Sequence, residues 1–312
     1  MLISESMLRD ALRLVVWYPV RWIIIMLPVP AGIAVLRTMG TIHFLLSSGK
    51  RALIRNRLVS LQAKGLVNGN VDLHAREYFR NHYVDRLIIF LFPKFDRTAV
   101  DRLVEFEGLE NLDIALAKRK GVILMHGHFG PVHIPLVALA RLSYRMKQIG
   151  LPSDEGLSWV GKKVAFRLRL RYESMIPAEI IKADSFLRPA FKWLHDNGAI
   201  MLTGDGTGTD KLIGRQFTGR FLGSQLSLPL GPALLAGKTG AAVLPLFIVP
   251  GEKKAYRIII EPPLHSDRQG DDSAVDIGTQ FIQRLEYHAA RHPGYLHLLD
   301  RPEAERPGAS VR

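Results

Sequence analysis

The chain is expected to fold as an α/β protein, with a mixed, largely parallel central sheet flanked by helices and an N-terminal membrane-associating helix. Three observations predict this. From about residue 100 to 300, short apolar runs alternate with longer segments of helical spacing, the pattern of strands separated by helices. Of the 312 residues, 47% are hydrophobic and 23% charged, the balance of a chain that can bury a sizeable core. Residues 14–36, LVVWYPVRWIIIMLPVPAGIAVL, form a long apolar run that prolines and an arginine interrupt. The expected division is a membrane-associating helical segment over 1–60, an α/β domain over 61–300 and a polar tail over 301–312.

Crossing a bilayer takes about 20 consecutive apolar residues. Pro19, Arg21, Pro28, Pro30 and Gly32 break the run of 14–36 into shorter pieces. Glu5 and Asp10 precede it, and it lacks the small-residue cleavage site of a secretory signal peptide. Trp17, Tyr18 and Trp22 lie beside Arg9, Arg13 and Arg21, an amphipathic mixture suited to the lipid headgroup zone. The expectation is a helix that lies on, or dips into, one leaflet; the alternative is a buried core helix. Lys50, Arg51, Arg55, Arg57 and Lys64 come next, either a solvated helix face or a patch that anionic lipid attracts.

Beyond residue 100 the elements follow in order. Strands are expected at 103–106, 121–125, 199–203, 241–249 and 255–261, where apolar residues run together between turn signals. Helices are expected at 109–118, 132–142, 186–196, 230–236 and 275–290, with Gly198 placed to stop the third.

Charge and composition narrow the function. Lys and Arg number 42 against 29 Asp and Glu, a net charge of +13, which favours an anionic partner: nucleic acid, a phosphorylated substrate or an anionic membrane. Aromatic residues do not alternate with the basic residues of 50–64, so no stacking platform for nucleic acid is expected. Cysteine is absent, which removes disulfides, thiol nucleophiles and cysteine-ligated metals. Gly237-Lys238-Thr239 is not a nucleotide phosphate loop, because Gly231 stands one residue too far upstream and the segment reads as helix.

Two loops carry residues able to do chemistry. The first is His126-Gly127-His128-Phe129-Gly130-Pro131-Val132-His133, directly after the strand GVILM. Loops after buried strands are where α/β proteins hold reactive groups. An imidazole with a pKa near neutrality suits a general base that removes a proton from a hydroxyl nucleophile. Gly127 and Gly130 permit a tight turn and close backbone approach. The same histidines could instead form a metal site, His126, His128 and His133 serving a hydrolase. The second loop, Leu202-Thr203-Gly204-Asp205-Gly206-Thr207-Gly208-Thr209-Asp210, precedes Arg215 and Arg220. It could wrap a phosphate-bearing ligand, or be a plain surface loop with Asp205 as a turn residue.

Several blocks, in order, resemble the lysophospholipid acyltransferase superfamily, most closely its bacterial lipid A late-acyltransferase branch. They are Leu27-Pro28 with Arg51, Ala52 and Asn56; the His128 to Pro135 frame; Asp205; Phe221-Leu222-Gly223; and Pro229-Leu230-Gly231-Pro232-Ala233. Thr239-Gly240-Ala241, Pro245, and His292-Pro293 with His297 and Arg301 complete them. The family frame is a histidine, four residues, then Asp or Glu, which puts His128 in the catalytic position and His133 where the carboxylate would stand. The resemblance implies an O-acyltransferase that moves an acyl chain from acyl carrier protein or acyl-CoA to a hydroxyl of an anionic lipid or glycolipid. Its catalytic residues would be His128 and His133, with Gly130, Asp205, Arg215 and Arg220 binding substrate. No cofactor, metal or nucleic acid is implied, and the expected place is the cytoplasmic face of a bacterial inner membrane. His133 as orienter leads to a further expectation, that His133→Glu raises turnover. A catalytically weak lipid-binding relative is the alternative.

Overall fold

A computed structural model describes residues 6–183, 187–206 and 212–300. The expected polar tail with Arg301, and the loop residues Thr207 to Asp210, lie outside the described residues.

The N-terminal region is helical from the start. Ser6 caps the first helix, its hydroxyl accepting the Arg9 N–H at 3.2 Å. Helix Met7–Val15 runs through a π turn, Val16–Val20, into Arg21–Met26. Pro19 therefore does not break the run as expected: the wider π turn takes up the residue that cannot donate a hydrogen bond. Pro28 does end it, and helix Val29–Leu46 begins at the next residue. That helix is the one described element long and apolar enough to cross a membrane, yet only part of it faces outward. Ile33 and Leu36 are buried, and a Cβ on Gly40 would lie 2.6 Å from the Arg80 backbone of helix Val71–Leu87. Arg37 pairs with Glu77 of the same helix at 2.9 Å. The N-terminal helices thus share a core with the body of the protein.

The central sheet has seven strands. In chain order the strands are β1 (Val104–Glu107), β2 (Val122–His126), β3 (Met146–Gly150), β4 (Glu179–Lys182) and β5 (Ala199–Thr203). They continue with β6 (Gln216–Phe221), β7 (Ser224–Pro229), β8 (Ala242–Pro250) and β9 (Tyr256–Ile260). The sheet order is β1-β9-β8-β2-β5-β3-β4, parallel throughout except for the β8–β9 pair, while β6 and β7 form a separate hairpin. Every residue of β2 is buried, as a central strand covered on both faces requires. Its side chains alternate between two cores: Val122 and Leu124 join one, Ile123 and Met125 the other. The expected strands and helices beyond residue 100 are all present, with ends shifted by a few residues. The structure adds β3, β4 and the β6–β7 hairpin that carries Arg220, none of which the apolar pattern predicts.

Candidate active site

Strand register builds the site. β2 and β5 are parallel neighbours, with His126 opposite Thr203 at their carboxyl ends. The Gly204 N–H continues the ladder, donating to the His126 carbonyl at 2.8 Å. Two residues beyond that matched pair on each strand stand His128 and Asp205. They meet there: His128 Nδ1 lies 2.9 Å from Asp205 Oδ1, and the His128 backbone N–H donates to Oδ2 at 2.7 Å. Gly127 allows the approach, since a Cβ there would sit 3.0 Å from Asp205 Oδ2 and 2.8 Å from Leu285. Burial works to raise the pKa of Asp205, but the facing His128 and its backbone N–H outweigh it and hold the carboxyl below its ordinary value. The side chain is an anion, bonded at both oxygens and directed at one ring nitrogen.

The loop after His128 is held by the C-terminal segment. Gly130 has φ +67°, and its N–H donates to the Tyr295 carbonyl at 2.7 Å. A Cβ at this position would strike the Tyr295 ring at 2.7 Å. Its N–H is therefore occupied, as is that of His128, and Gly130 fixes the turn. The His297 N–H donates to the His128 carbonyl at 3.0 Å, and the His297 ring lies 3.6 Å from Asp85. Asp85 also accepts the Val132 N–H at 3.3 Å, so it braces the loop from helix Val71–Leu87. Nothing in the sequence marks Asp85, an ordinary acidic residue on a helix of mixed polarity.

His133 is placed differently from the expectation. His128 already has its carboxylate in Asp205, and His133 begins helix His133–Arg141, with Nε2 3.6 Å from Glu173 Oε1. Glu173 is 3% exposed and also accepts from Arg169 at 2.6 Å. Burial would raise its pKa, but the hydrogen bond from His133 and the charge of Arg169 bring it down to about 2. His126 is buried and unlike a base: burial lowers its pKa to about 4, so it is neutral near pH 7. Among the described residues, no group of three His, Asp or Glu side chains is arranged to share a metal ion.

Neither predicted arginine joins this cluster. Arg215 forms an exposed two-pronged ion pair with Asp271, one arm at 2.7 Å, so its guanidinium is already matched. Arg220 is exposed on β6, opposite Gln225.

The depressed Glu173 pKa has a consequence for stability. A carboxyl whose pKa falls on folding stabilises the protein above its unfolded value and loses that contribution as pH drops through the folded one. From 4.5 to about 2, the contribution is on the order of 3 kcal/mol, lost between those two pH values. Acid unfolding followed by circular dichroism should show this, and Glu173→Gln should flatten the pH dependence in that window. An unchanged profile would mean that the pair is not formed.

The model of one family, described as bacterial lipid A biosynthesis acyltransferase, matches residues 10–301. A search of curated proteins finds no match. With nearly its whole length covered, the chain belongs to the bacterial lipid A biosynthesis acyltransferase family and is an acyltransferase.

Proposed function

We propose that the protein is a membrane-associated O-acyltransferase in which His128 is the general base and Asp205 its orienting partner. The acyl chain moves from a thioester, carried by acyl carrier protein or coenzyme A, to a hydroxyl of a lipid or glycolipid of the lipid A type. The observation that supports this reading is the 2.9 Å contact between His128 Nδ1 and a buried, ionised carboxylate. With Nδ1–H donated to Asp205, Nε2 is the ring atom that takes a proton. It removes the acceptor hydroxyl proton as the oxygen attacks the thioester carbonyl. The negative charge of Asp205 stabilises the imidazolium so formed. Collapse of the tetrahedral intermediate breaks the C–S bond, and the imidazolium returns its proton to the departing thiolate. An ester and a free thiol result.

Arg220 is the arginine we assign to phosphate on a substrate, since Arg215 would first have to leave Asp271. Incubation with acyl carrier protein thioesters, acyl-CoA and candidate lipids tests the reading. Mass spectrometry should show one acyl increment on the acceptor, with release of one equivalent of thiol. Thioester loss with no acylated lipid would overturn it.

The membrane part of the reading rests on the first two helices. Leu8, Leu12, Trp22 and Met26, on residues 7–26, are all more than half exposed, large apolar side chains left uncovered among the described residues. Basic residues 50–64 lie on and just after the next helix, Ser48–Ala63, and suit the anionic lipid of a cytoplasmic leaflet. Because helix Val29–Leu46 shares the core, the test is substitution and not truncation. Replacing those four exposed residues with serine should leave the fold intact. At roughly 1.5 kcal/mol or more for each side chain removed from lipid, it should move the protein into the soluble fraction. A variant that still sediments with membranes would place the anchor elsewhere.

A further inference from the structure

We infer that an internal helical segment, residues 159–173, is a second membrane-contacting element that docks on anionic lipid. The segment comprises Trp159 and Val160, a π turn Gly161–Phe166 and helix Arg167–Glu173. One stripe faces inward: Gly161, Val164 and Tyr172 are buried and Leu168 packs on the core. The opposite stripe is Trp159, 72% exposed, and Leu170, 39% exposed, with Phe166 half-buried between them. Lys162, Lys163, Arg167 and Arg171 flank it, all exposed and none ion-paired among the described residues. The segment's one carboxylate, Glu173, is turned into the interior. An apolar ridge with a tryptophan, lined by cations on both sides, is the composition of a helix lying in a lipid headgroup layer.

Polar contacts at both ends connect this ridge to the rest of the molecule. Ser158 caps the segment, accepting the Gly161 N–H at 2.9 Å, and the same hydroxyl donates to Asp10 Oδ1 at 2.6 Å. Arg13 bonds both Ser158, at 3.0 Å, and Asp10, at 2.9 Å. The first helix, with Leu8 and Leu12 exposed, is thereby fastened beside the basic ridge, and the two make one continuous surface. At the other end Glu173 holds His133, the first residue of the helix that follows the His128 loop. The ridge is thus tied at one end to the first helix and at the other to the helix that follows the His128 loop. A basic ridge could also attract an acidic carrier protein; the exposed tryptophan and its continuity with the apolar first helix favour lipid.

The inference extends the proposed membrane association and is independent of the chemistry assigned to His128, because its test reads lipid contact alone. The chain has no cysteine, so Lys163→Cys accepts a single environment-sensitive fluorophore on the full-length protein. Lys118→Cys, beyond the opposite end of β2, is the control. With vesicles of phosphatidylcholine and phosphatidylglycerol, the label at 163 should shift to the blue and become protected from an aqueous quencher. The label at 118 should not. The combined substitution Lys162→Gln, Arg167→Gln and Arg171→Gln should weaken this contact about 100-fold, near fivefold for each basic residue lost. A label at 163 that stays in water on the membrane-bound protein would overturn the inference. So would one that responds only to acyl carrier protein, or no more than the label at 118.

Discussion

Asp205→Asn is expected to lower turnover by about 10⁴ while leaving the fold and substrate affinity close to native. That is the scale for replacing an orienting aspartate by its amide in a histidine-based site. The cause here has two parts. The amide would present a neutral oxygen or an N–H to His128 Nδ1, so the tautomer that leaves Nε2 basic is no longer enforced. The imidazolium would also lose the buried anion 2.9 Å away that offsets its charge. Single-turnover acyl transfer, with circular dichroism to confirm folding, measures the effect. A loss of tenfold or less would show that another group orients the base.

The second large effect concerns His133 and reverses the expectation drawn from the family frame. In the proposed site His133→Glu does not restore a missing orienter, because Asp205 is the carboxylate that meets His128 Nδ1. It brings a second carboxylate against Glu173, which is buried and ionised. Two buried carboxyls in contact cannot both ionise. The substitution also removes the cationic or hydrogen-bonding partner of Glu173, and breaking such a pair costs roughly 3–5 kcal/mol. A drop in Tm of roughly 10 °C or more should follow, with turnover falling, not rising. Adding Glu173→Gln to His133→Glu removes the repulsion and should recover most of the lost stability. If His133→Glu is as stable as the native protein and more active, His133 is the orienter after all and not the partner of Glu173.

The contrast between these two positions shows what a sequence can carry. The strands VILM of β2, AIML of β5 and the apolar core of β8 are legible because central parallel strands are covered on both faces and read as unbroken apolar runs. β3, Met146–Gly150, and β4, Glu179–Lys182, lie toward the sheet edge. They mix Lys, Gln and Glu with a few apolar residues, which hides them from a hydrophobicity pattern. His128 and Asp205 each stand out for following a strand. Their partnership does not, because it depends on β2 and β5 being neighbours in matched register, 77 residues apart in sequence. The five-residue spacing from His128 to His133 points to a local pair instead. Asp85 and Glu173 carry no local signal at all; only packing shows that they brace Val132 and His133, where the loop enters its helix.

The central claim is that His128, and not its neighbour His126, is the base. The most direct measurement is the rate of acyl transfer from a thioester donor to a lipid hydroxyl by His128→Ala and His126→Ala, side by side. His128→Ala should abolish transfer with the fold retained, since the ring that meets Asp205 is gone. His126→Ala removes a buried ring whose pKa is pushed down to about 4, and should keep appreciable activity at some cost in stability. Abolished transfer in His126→Ala beside an active His128→Ala would contradict the assignment.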